Sequence, residues 1–235
     1  MRSWIHSVKP LGDFKLASHG STSTSALPPL TEALSDTSGK EDGPLARALA
    51  LLFEPSPVLY ATLVPALASR LQNATSPIFS YQMLIYAALE VIASWPDDLK
   101  AQFIAAHPRI GEVKGLSQLS AQEQAAKATP PQVLARLAHL NACYERRYPG
   151  LVYITFVNGR SREEIKDEME DALGLERSLS ADQPPVESMQ SVEVGGEEWK
   201  KELDRAVVDV GRIAKCRLGT LGVETGESSQ PQHSK

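Results

Sequence analysis

Sixteen prolines divide this 235-residue chain, and they fall where an apolar periodicity stops and restarts. Proline lacks the amide that a helix interior needs but is tolerated in a first turn, so these residues mark helix boundaries. Leu45, Leu49, Leu52 and Phe53 share one helical face after Pro44. Pro55-Ser56-Pro57 ends that helix and opens a second, carrying Leu59, Leu63, Ala66, Leu67 and Leu71, in which Pro65 predicts a kink or split. Ser80 is placed to cap a third, with Met83, Leu84, Ala87, Ala88, Val91 and Ile92 in helical register, stopped at Trp95-Pro96. Asp97 is placed to cap a fourth, which ends at His107-Pro108. Ser120 is expected to open the next helix, and Pro130-Pro131 to break it. Longer helices are expected from Pro131 to Tyr148, from Arg162 to Leu173 behind a Ser161 cap, and from Glu197 to Leu218.

One stretch breaks this rhythm. Leu151 to Val157 (LVYITFV) is apolar, β-branched and aromatic, and reads as a buried strand or extended segment. The expected fold is therefore all-α: a single-domain bundle of about seven to nine helices with one short extended segment. The Ser/Thr-rich leader over residues 1–26 and the polar tail over 223–235 read as disordered, and the domain as 27–222. Within it, the acidic stretch from Leu175 to Gly196 carries Pro184-Pro185 and Gly195-Gly196 and reads as a mobile insertion.

A hydrophobic fraction of 42% is enough for a real core, and a net charge of -5 argues against a general nucleic-acid binder. Two cysteines, Cys143 and Cys216, are too few for a disulfide framework. No apolar run approaches the ~20 residues needed to span a bilayer. The histidines and cysteines show no zinc spacing, so no metal site is expected.

Four groups carry candidate chemistry. His107 precedes a proline and should project from a helix end, where an imidazole titrates near neutrality and can exchange protons. Satisfying the terminal carbonyls is its ordinary alternative. Ser120-Ala121-Gln122-Glu123 fits a capping box, or it presents Glu123 to orient His107, with Gln124 adding an amide suited to a ureido group. Arg160 stands just before a helix N-terminus, the arrangement of a carboxylate clamp or of a plain surface turn. His139 and Cys143, four apart on one helix, read as incidental neighbours.

In order, His-Pro, Ser-x-x-Glu-Gln, Leu140-Asn141-x-x-Tyr144 and an apolar run into Gly159-Arg160-Ser161 resemble OHCU decarboxylase. That family acts on 2-oxo-4-hydroxy-4-carboxy-5-ureidoimidazoline in urate breakdown. The resemblance spans about Leu27 to Leu218 and includes Phe53-Glu54-Pro55-Ser56-Pro57. It implies a cofactor-free decarboxylase, often a homodimer, that takes a ureidoimidazoline and yields (S)-allantoin; charge and the lack of a long apolar run add the expectation of no nucleic-acid and no membrane partner. His107 and Glu123 would match the catalytic pair. Pro108, Ser120, Gln124 and Arg160 would match substrate-binding positions, and the backbone around Ile154, Phe156 and Asn158 would line the pocket. Two departures mark a divergent branch: Arg109 follows His-Pro where many members carry an acidic residue, and the 175–196 segment is longer than in compact members.

The competing expectation is a non-catalytic helical adaptor whose insertion or tails bind a partner. Geometry discriminates between them, because an enzyme needs His107, Glu123 and Arg160 to meet at one concavity. A cytoplasmic or peroxisomal location is expected, although the chain ends Gln-His-Ser-Lys and not in a Ser-Lys-Leu-type address.

Overall fold

A computed structural model describes residues 26–112, 116–125 and 129–223, with the side chains of 123–125 outside that description. Among the described residues the chain is all-α, with nine α-helices and no strand. These are α1 (Leu30–Ser35), α2 (Pro44–Phe53), α3 (Val64–Gln72), α4 (Tyr81–Ala93), α5 (Asp97–Ile104), α6 (Gln118–Ala125), α7 (Pro131–Arg147), α8 (Arg162–Leu173) and α9 (Glu197–Thr220). The expected leader lies outside the described residues except for Ala26, as does all of the expected tail beyond Val223.

Local chemistry explains most boundaries. Ser80 caps α4 by accepting from the Met83 amide. Ser161 and Glu164 form a reciprocal capping box on α8, and Gly174 closes that helix in the left-handed conformation. Asp36 reaches nine residues along to accept from the Leu45 amide at the start of α2. A side chain at Gly43 would put its Cβ 2.1 Å from that carboxylate, so the cap requires glycine there. Ahead of Pro65 the helix takes a π-helical turn over Leu59–Leu63 and then continues as α3, which absorbs the missing proline amide without a break. Pro96, not Asp97, occupies the cap position of α5. Asp97 sits inside the first turn, where its carboxylate faces the positive helix end.

The long α9 is the central post. It packs against α2, α4 and α5, while α7 packs against α8. Leu203, Ala206, Val210, Ala214 and Leu218 on α9 are buried against Leu45, Leu49, Leu52, Leu84, Ala88 and Phe103. At Gly211 the approach of α4 is close enough that a Cβ would lie 2.8 Å from Leu89. Leu151 to Ile154 join α7 to α8 as a buried segment that forms no strand among the described residues.

The acidic segment after α8 lies along α7 and α8. The buried Arg136 guanidinium bonds Glu170 at 2.7 Å, the Ser180 carbonyl at 3.0 Å and the Gln183 carbonyl. Lys166 joins from the other side, 2.9 Å from Glu170, which also accepts from the Ser178 amide. Among the described residues no helix is long and apolar enough to cross a membrane.

Candidate active site

One cavity of about 390 Å³ opens between the His107 loop, the extended segment, the start of α8 and the face of α9. That volume falls within the roughly 300–1,000 Å³ of small-molecule sites. His107, Pro108, Ser120, Ile154, Phe156, Asn158 and Arg160 all line it, so a set of residues spread over 54 positions converges on one concavity. Glu123 and Gln124 belong to α6, but their side chains lie outside the described part. The geometric criterion is thus met for His107 and Arg160.

His107 sits just past α5, its amide bonded to the Ile104 carbonyl at 2.9 Å and its ring edge-on to Phe103. The residue is 5% exposed, and neither ring nitrogen has a hydrogen-bond partner among the described residues. Burial pushes the imidazole down to about 4, the Arg217 guanidinium adds to that, and the Glu54 carboxylate opposes it. At neutral pH His107 is therefore an uncharged, desolvated imidazole among the residues that line the cavity.

Ser120 departs from its expected role. The cap of α6 is Ser117, whose hydroxyl accepts from the Ser120 amide at 3.2 Å, so the helix begins at Gln118. The Ser120 hydroxyl instead donates to Glu54, because a buried carboxylate is a stronger acceptor than any neutral group within reach. Glu54 Oε1 also accepts from Ser117 Oγ at 2.9 Å and from Arg217 Nη2 at 2.5 Å. Arg217 Nη2 further contacts Ser120 Oγ at 3.0 Å, while its Nη1 reaches the Leu51 and Leu52 carbonyls at the end of α2. Burial works to raise the Glu54 carboxyl. The Arg217 guanidinium and the hydroxyls of Ser120 and Ser117 outweigh that and hold it below the ordinary carboxylate range.

Arg160 lines the cavity with each of its nitrogens engaged. Nε bonds the Val157 carbonyl at 3.0 Å, Nη2 bonds Thr155 Oγ1 at 3.0 Å and the Phe156 carbonyl, and Nη1 pairs with Glu168. It braces the extended wall as well as facing the cavity. Arg205 on α9 fixes the same wall through the Ile154 carbonyl at 2.8 Å. Asn158 and Gly159 both have positive φ, 48° and 75°, and turn the chain so that the Ser161 cap and the α8 N-terminus also face the cavity.

Residues that the sequence reading did not single out are Glu54, Arg217, Arg162, Thr155 and Cys216. Arg217 left a signal. It continues the apolar stripe of α9 after Val210, Ile213 and Ala214, and an arginine on a buried helical face needs a charged partner. Glu54 lies in the Phe53-Glu54-Pro55-Ser56-Pro57 segment that carries part of the family resemblance, but only the tertiary fold brings it to α9. His139 and Cys143 are 3.4 Å apart, but His139 is bonded to the Pro184 carbonyl and neither residue lines the cavity. Among the described residues no group of three His, Cys, Asp or Glu side chains is arranged to hold a metal ion.

No curated protein matches the chain. The family profile of OHCU decarboxylase matches residues 41–179, a span that takes in His107, Ser120 and the whole 154–162 wall. With more than half of its length matched and the cavity built largely from that span, the chain belongs to the OHCU decarboxylase family, lyases of purine catabolism.

Proposed function

We propose that the protein decarboxylates 2-oxo-4-hydroxy-4-carboxy-5-ureidoimidazoline to (S)-allantoin without an added cofactor. The observation that carries this reading is the buried, neutral and unpartnered His107 imidazole in a cavity that also holds the Arg217 guanidinium. In this substrate the carboxylate-bearing carbon also carries a hydroxyl and adjoins a ring C=N bond. When the C–CO₂ bond breaks, its electron pair moves toward that imine, and the imine nitrogen takes up a proton. CO₂ leaves, and an enol remains. Protonation of the ureido-bearing carbon from one face, with loss of the hydroxyl proton, gives allantoin. The substrate supplies its own electron sink, so the protein's task is to position the carboxylate and deliver one proton to one face.

In this reading His107 exchanges the proton, and Arg217 with Ser120 meets the carboxylate. The 154–160 wall seats the ring and ureido tail, with Arg160 at its rim. Glu123 and Gln124 complete the site as the pair that orients His107 and binds the ureide. The test is a coupled assay in which uricase and hydroxyisourate hydrolase generate the substrate and circular dichroism follows the product. A fast rise of one allantoin enantiomer is expected, slowed roughly 10²–10⁴-fold in His107→Ala. A well-folded protein that gives no acceleration over the spontaneous racemic product would overturn the reading.

A further inference from the structure

Glu54 is buried and carries a backbone conformation of φ 70°, ψ 136°, outside the left-handed well that non-glycine residues ordinarily use. Such a conformation is strained and persists only where the surroundings require it. The requirement is visible. One oxygen, Oε1, accepts from Ser117 and Ser120 on the α6 side and from Arg217 on α9. A glycine at this position would relieve the backbone but leave the guanidinium buried without its carboxylate.

In a decarboxylation the bound carboxylate loses its charge as it becomes CO₂. A fully available guanidinium would therefore hold the ground state more tightly than the transition state, which slows the chemical step. We propose that Glu54 is a positioning residue that fixes Arg217 and partly neutralises it, so that the site binds a carboxylate without over-stabilising it. The proposal rests on the reading of the cavity as a decarboxylase site, and it commits to Arg217 as the group facing the leaving carboxylate. The pairing is direct, nearly dry and shared with the same hydroxyl, Ser120 Oγ, that both side chains contact. The same carboxylate also opposes Arg217 at His107.

The test uses the full chain with Glu54→Gln and Glu54→Asp. Glutamine keeps an acceptor for the hydroxyls but removes the charge. Aspartate keeps the charge but draws it back from Arg217. The expected order in both KM and kcat is wild type, then Asp, then Gln, with KM falling by roughly tenfold in the Gln variant and kcat by at least as much. A merely structural role would lower stability or the active fraction and leave KM unchanged. An unchanged or raised KM in the Gln variant of an active wild type would overturn the proposal. If Glu54→Gln does not fold, the Asp variant alone decides by the direction of its KM. Acetate binding, followed by NMR of the His107 ring, gives a readout that needs no turnover. Tighter acetate in Glu54→Gln supports the charge-tempering role even if the wild type proves inactive on the ureidoimidazoline, whereas equal or weaker acetate binding counts against it.

Discussion

The side-chain amide of Asn141 on α7 donates to the backbone carbonyl of Ile110 at 3.0 Å, and so ties the loop that carries His107 to a long helix. Gly111 supports the same seat. Its φ is 85°, and a Cβ there would lie 3.4 Å from Leu137. Arg109 adds an ion pair to Glu145 at 2.5 Å. Asn141→Leu keeps the volume but leaves the Ile110 carbonyl without its donor, which should cost about 1–3 kcal/mol in urea unfolding. Because a small displacement of a reacting group is expensive, kcat should also fall, roughly tenfold or more. A loss of stability with unchanged kcat would show that α7 does not set the His107 position.

The buried imidazole makes stability depend on pH. Unfolded, the ring titrates near 6.5; folded, it is pushed down to about 4. Between those values the unfolded chain binds more protons, so stability rises with pH across that window. The full contribution is present above 6.5 and is lost as the pH falls toward 4. In His107→Gln, urea midpoints measured from pH 7 down to 4.5 should show a shallower decline than in wild type. Parallel declines would mean that the ring is not desolvated.

Arg136 and Glu170 form a buried pair, 1% and 0% exposed in their side chains, with Lys166 on the same carboxylate. Arg136→Met removes the partner but leaves the charge, and should cost about 3 kcal/mol in chemical denaturation. The same arginine holds the Ser180 and Gln183 carbonyls, so limited proteolysis should cut the 178–184 region faster in the variant. Unaltered cleavage would show that other contacts seat this segment.

The capping box on α8 offers a milder test. Ser161 Oγ accepts from the Glu164 amide at 3.2 Å, and Glu164 returns the bond to the Ser161 amide at 2.6 Å. Ser161→Ala should cost about 1 kcal/mol, read as a drop in Tm of about 2–4 °C. Because the cap also lines the cavity, KM for the ureidoimidazoline should rise more than kcat falls. A variant with wild-type Tm would mean that α8 is set by tertiary packing alone.

The helices were legible in the sequence because their causes are local. Apolar spacing on α2, α4, α7 and α9, the Ser80 and Ser161 caps, and the proline boundaries each act within a turn or two of chain. His107 and the 154–160 wall were also legible, since a His-Pro at a helix end and an apolar run into Asn-Gly are patterns of adjacent residues. The Ser120 capping box failed. Its local pattern is a common one, but α6 starts two residues earlier, at Gln118, and the Ser117 hydroxyl takes the cap position by accepting from the Ser120 amide. Sequence by itself therefore determined the helical class, the order of the elements and the residues that face the cavity from single segments. Only the tertiary structure decided that Glu54, Ser120 and Arg217 meet, because the α9 stripe shows that Arg217 needs a charged partner while which partner it finds across α2, α6 and α9 depends on how the helices pack.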